Sequence, residues 1–112
     1  MVAVVRGNKY GAKKTYVAEI GRWFDSKAEA LRAVVLWQMQ KDGDISGLEF
    51  QIKYPLVVND VKIGSWSADF RYVDKAGQTI VEDVKGYRTQ QYALRKKLMK
   101  AIHGVTITEI AA

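Results

Sequence analysis

The stretch SWSADFRYVDKAGQTIVEDVK, Ser65 to Lys85, decides the fold. Ser65–Val73 and Gln78–Lys85 read as strands, with Lys75-Ala76-Gly77 between them. A three-residue hairpin loop takes glycine at its last, left-handed position, where a Cβ would oppose the turn. With that loop, Asp74 faces Gln78, Arg71 faces Val81, Asp69 faces Asp83 and Ser67 faces Lys85. Successive side chains of a strand point to opposite faces, so Asp69, Asp83 and Lys85 share one face. Opposed residues stand about 4.5–5.5 Å apart at Cβ, and like charges at that distance destabilise a sheet. A hard cation offsets the repulsion: Mg²⁺ takes one or two carboxylates and completes its shell with water and substrate oxygens. Lys85 would then orient or help activate a water, or stabilise charge on a phosphate. An ordinary cross-strand charge cluster is the plain alternative. A four-residue loop, Asp74–Gly77, sets Asp69 opposite Glu82 instead and sends the lysine to the other face.

Working outward, Leu48–Tyr54 alternates apolar with polar residues and reads as a strand, closed or edged by Pro55. Asn59-Asp60 suggests a turn and Gly64 a break. Ser26-Lys27-Ala28-Glu29 fits a capping box and opens a helix over about 27–41. Leu31, Val34, Val35 and Met39 give that helix its apolar stripe, and Gly43 ends it. Thr89 caps a second helix over about 90–102, with Leu94, Leu98, Ala101 and Ile102 apolar and Arg95, Lys96, Lys97 and Lys100 basic. Val105–Ile110 is a last strand, which the second helix returns parallel to a neighbour. Residues 1–14 read as a flexible basic arm and 15–112 as one domain. A short strand is also expected over Tyr16–Ile20, with Gly21 turning the chain toward Arg22–Phe24. The fold class is α/β with a mixed α+β sheet, in the order helix, three strands, helix, strand.

Glu29 has two competing roles, cap of the Ser26 backbone or member of the acidic site. Gln51 ordinarily faces solvent but could reach that site. Trp23, Trp37 and Trp66 read as core or interface packing, and His103 as a dipole partner at a helix end.

The chain has 112 residues, no cysteine and one histidine. Disulfides, thiol nucleophiles, cysteine zinc sites and two-histidine metal sites are thereby excluded, and catalysis must run on carboxylates, lysine and a hard cation. A net charge of +6 and pI ≈ 9.6 favour a polyanionic partner. Lys9, Lys13, Lys14, Arg88, Arg95 and Lys96 are the candidate phosphate contacts. No apolar signal region or membrane span is evident, and a cytoplasmic protein is expected.

Several blocks carry a resemblance: Lys9–Lys14, Phe24–Ala30, Leu48–Gln51, Ala68–Tyr72 and Val81–Tyr87. In that order they resemble a phage and prophage family, a domain of unknown function placed in the PD-(D/E)XK, restriction-endonuclease-like nuclease superfamily. The resemblance covers nearly the whole chain. It implies the core order read above, with an acid on the second core strand (Asp69) and acid-x-lysine on the third (Asp83, Lys85). It adds a helix glutamate, Glu29, and a further candidate, Gln51; Ala68 stands where the motif has proline. The implied activity is Mg²⁺-dependent DNA cleavage, with Mn²⁺ substituting. Metal would be held by Asp69, Asp83 and Glu29. A chain this short, with no separate sequence-reading domain, would be structure-selective, resembling Holliday-junction resolvases in phage DNA recombination or processing. It would act as a homodimer in a bacterial host. A non-catalytic DNA-binding module and an RNA-directed binder or nuclease are the alternatives.

Overall fold

The computed structural model describes residues 5–7, 13–85 and 89–112. Lys9 and Arg88 lie outside the described residues. The order is β1 (Val5–Gly7), β2 (Thr15–Val17), β3 (Arg22–Phe24), α1 (Lys27–Lys41), β4 (Ile45–Val58), β5 (Val61–Asp74), β6 (Thr79–Lys85), α2 (Gln90–His103) and β7 (Ile107–Ala111). β1–β2–β3 form a small antiparallel sheet, so part of the expected basic arm is strand. β4–β5–β6–β7 form the main sheet, antiparallel except for the parallel β6–β7 pair. The architecture is mixed α/β, as the periodicities predict.

The β5–β6 hairpin has the expected register, with Arg71 opposite Val81 and Phe70 opposite Glu82. Gly77 adopts φ +81°, and its N–H donates to the Asp74 carbonyl at 3.0 Å. Asp74 Oδ1 also accepts from the Ala76 and Gln78 amides, which locks the loop. β4 and β5 run longer than expected. Pro55 does not close β4; it sits inside this edge strand, where a missing donor costs little. The His103 ring Nε2 meets the Pro55 carbonyl at 2.7 Å. Asn59 and Asp60, both at positive φ, make the two-residue turn into β5.

Two hydrophobic clusters line opposite faces of the main sheet. One joins Ala30, Ala33 and Leu36 of α1 to Phe24, Phe70 and Tyr72. The other joins Tyr92 and Met99 of α2 to Trp66, Ala68 and Val81. The apolar stripes match the expected ones in part: Val34, Met39, Leu98 and Ile102 pack against the clusters, and the other expected residues do not. On α1, Leu31 and Val35 are exposed, while Ala30 and Ala33 are fully buried. Small residues let the helix axis approach the sheet, so they occupy the contact face. On α2, Leu94 and Ala101 are exposed and Tyr92 and Met99 fill the core. Trp66 is buried as expected, but Trp23 is 58% exposed.

Strand β6 alternates regularly: Ile80 and Val84 pack toward α1, and Val81 toward α2. β5 does not. Trp66 and Ala68 face α2, whereas Phe70 and Tyr72 face α1. A step of two residues cannot change face in a regular strand, so the pleat reverses at Asp69. The neighbouring strand is distorted at the same level. Gln51 lies between the Phe50–Phe70 and Ile52–Ala68 pairs, and its φ is +52°. A left-handed non-glycine residue inside a strand costs on the order of 1–3 kcal/mol, and such strain concentrates at functional sites.

Candidate active site

The double reversal gathers polar side chains that a regular sheet would separate. The paired β5–β6 ladder stops at Phe70–Glu82. Beyond it, carboxylates take the place of backbone acceptors. Asp83 Oδ1 accepts from the Asp69 amide at 3.1 Å, and Asp69 Oδ2 accepts from the Val84 amide at 2.8 Å. Each acid is thus fixed by the other strand's backbone. The Gln51 amide donates to Glu29 Oε2 at 2.8 Å and lies 3.5 Å from Asp69 Oδ1. Glu29 enters from the first turn of α1. The Ser26 hydroxyl accepts from the Glu29 amide at 3.1 Å, so half of the capping box forms. The Glu29 carboxylate turns instead to Gln51.

Glu29 and Asp83 are each only 5% exposed. Burial first, and then the neighbouring Asp69, pushes the Glu29 carboxyl up to about 8. The same two causes push Asp83 up to about 7. Asp69 is also raised, chiefly by burial, against hydrogen bonds from Val84, Asp83 and Gln51 and the nearby Lys85 charge. Three acids held this way need protons or a cation among them. Among the described residues, no group of three His, Cys, Asp or Glu side chains forms a ready metal cage. A magnesium ion needs no such cage, because it keeps several waters and binds one or two carboxylates. Asp69 and Asp83 fit that requirement, with Glu29 behind them.

Asp83 and Lys85 open into a cavity of about 420 Å³, together with Ser65, Ser67, Gln91 and Arg95. The Lys85 ammonium lies 4.9 Å from the Tyr92 ring centroid, which holds it on the α2 side. Asp83 is therefore reachable from solvent through a pocket whose wall also carries the cations Lys85 and Arg95. Of the remaining basic candidates, Lys13 and Lys14 are exposed, and Lys96 pairs with Glu109 at 3.2 Å.

Glu82 stands apart from this group. It is 1% exposed and faces α1, where Arg32 grips it with two bonds of 2.8 and 2.7 Å and the Tyr72 hydroxyl donates to it. Arg32 lies one turn beyond Glu29 on the same helix face. This ion pair therefore ties the helix that carries Glu29 to the strand that carries Asp83. Sequence reasoning missed Arg32, although its spacing from Glu29 was the available signal.

No helix of the described residues is long and apolar enough to cross a membrane. No curated protein and no solved structure matches the chain significantly. Residues 7–108 match the model of the family described as "Protein of unknown function (DUF1064)", and the chain belongs to that family.

Proposed function

We propose that this protein is a Mg²⁺-dependent DNA endonuclease with a PD-(D/E)XK type of site. The observation that carries the reading is the reciprocal clamp of Asp69 and Asp83 on each other's strand, with Glu29 and Lys85 beside it. A merely structural charge cluster has no use for two buried acids, Glu29 and Asp83, whose proton affinity the half-buried Asp69 between them raises. The order helix, three strands, helix, strand, with sheet order β4–β5–β6–β7, is also the core order that the superfamily resemblance implies.

Asp69 and Asp83 would hold Mg²⁺ or Mn²⁺, with Glu29 adding charge from behind. When bound, the cation supplies Lewis acidity at the scissile phosphate. Gln51 keeps the Glu29 carboxylate aimed at the acids. Lys85, on the cavity wall, stabilises charge building on the phosphate or orients the attacking water. Arg95 and the exposed Lys13 and Lys14 hold flanking phosphates. In this reading the enzyme acts as a symmetric dimer that presents two sites to two strands. It serves phage DNA recombination or processing in the cytoplasm of a bacterial host.

The test is a cleavage panel over linear, nicked, flapped and four-way DNA in Mg²⁺. Asp69→Ala and Lys85→Ala should each abolish cutting and keep binding in Ca²⁺. A wild-type protein that binds DNA and cuts nothing in Mg²⁺ or Mn²⁺ would instead be a non-catalytic binding module. Preference for RNA over every DNA substrate would move the reading to the RNA-directed alternative.

A further inference from the structure

We infer that Tyr16 and Trp23 form a stacking platform for unpaired bases, so that the substrate class is DNA with a single-stranded segment beside duplex. That the bound strand is then cut rests on the function proposed above; the platform itself does not. The β2–β3 ladder sets Tyr16 opposite Trp23. Thr15, Val17 and Phe24 turn inward and are buried, so alternation sends Tyr16 and Trp23 to the outer face of the small sheet. The rings lie 5.3 Å apart at 56°, so the tyrosine braces the indole, which remains 58% exposed. An indole left this far in water is unusual for so apolar a ring.

The surrounding charge favours a polyanion as the occupant. Lys13 and Lys14 are exposed at the entry to β2, and Lys27 is exposed at the start of α1. Of the acids nearby in sequence, Glu19 is paired with Lys41, while Asp25 is exposed. The path along the chain to Glu29 is short. β3 runs through Asp25 and Ser26 directly into α1, whose first turn carries Glu29. A strand stacked on Trp23 with its phosphates on these lysines would be led toward the acids. Base–aromatic stacking tolerates any sequence, because every base has a π-face, and contributes about 5- to 150-fold in affinity per base.

The experiment uses the full chain in EDTA, so that nothing is cut. Oligothymidylate should quench tryptophan fluorescence, and a blunt duplex should quench it much less. Trp23→Ala should remove the quenching and weaken oligothymidylate binding about tenfold or more, measured by polarisation of a labelled strand. Its duplex binding should be nearly unchanged, and Trp23→Phe should retain most of the single-strand affinity. Unaltered single-strand binding by Trp23→Ala overturns the inference. So does a dimer that this variant splits without any change in oligonucleotide binding, which would make the face a contact between copies. Quenching by a protein that never cleaves DNA would leave the platform standing and remove the nuclease reading. Cleavage without quenching would do the reverse.

Discussion

Asp83→Asn should make the metal-free protein more stable while removing its activity. The substitution keeps the shape and an oxygen that accepts from the Asp69 amide, but removes one of three crowded charges. Burial and Asp69 raise the Asp83 carboxyl from 3.8 to about 7. Every tenfold gain in proton affinity corresponds to about 1.4 kcal/mol, which sets a ceiling near ~4 kcal/mol at high pH. Burial is the larger cause, and the amide stays buried and polar, so the expected gain is half of that, ~2 kcal/mol. For a domain of this size that raises Tm by roughly 10 °C. The pH dependence follows from the direction in which the carboxyl moves. Because the folded carboxyl holds its proton more tightly than the unfolded one, native stability is lost as pH rises from about 4 through about 7. The gain from asparagine should therefore be full above about pH 8 and vanish near pH 4. Thermal melts in EDTA across this range measure it. A variant less stable than wild type at high pH, or a gain that ignores pH, would refute the reasoning. Mg²⁺ should raise the wild-type Tm and leave the variant's almost unchanged.

Arg32→Met leaves Glu82 charged and buried, so it should cost about 3–5 kcal/mol in urea unfolding. Arg32→Met combined with Glu82→Gln should recover much of that loss, and full additivity of the two would argue against a coupled pair. Gly77→Ala should cost about 1 kcal/mol. Nothing lies within 4 Å of the added Cβ, so the whole cost comes from φ +81°. Gln51→Ala should leave Glu29 without its amide donor, slow cleavage more than it weakens DNA binding, and move the cleavage pH profile to higher pH.

The hairpin was legible because its signal is local: glycine at the left-handed loop position sets the register from Asp74 outward. Both helices were legible from their caps, Ser26 and Thr89. The faces of those helices were legible only in part: Val34, Met39, Leu98 and Ile102 pack against the cores as expected. Apolar periodicity pointed to Leu31 and Val35, but close packing selected Ala30 and Ala33, and composition does not report how near a helix can lie to a sheet. Pro55 and Gly64 read as breaks because both weaken central strands; at the sheet edge Pro55 does not interrupt its strand, whereas the β4–β5 register shifts at Gly64 without ending β5. Asp69, Asp83 and Lys85 could be grouped by counting. The reversal at Gln51 and Asp69 could not, since a left-handed glutamine has no signature in sequence. That reversal, rather than simple alternation, joins Glu29 and Gln51 to the hairpin acids. The exposure of Trp23 was likewise hidden, because it depends on which face of a three-stranded sheet the rest of the chain covers.

Cleavage, as proposed, depends on hairpin acids that Lys85 only partly neutralises and that hold a divalent cation. Mn²⁺ added substoichiometrically to ¹⁵N-labelled protein probes this without intermediaries, because paramagnetic broadening reports position. The amides of Asp69, Asp83 and Val84 should broaden first, and Asp83→Asn should abolish the effect. Broadening confined to exposed acids such as Asp42 or Asp60, with the hairpin signals untouched, would contradict it.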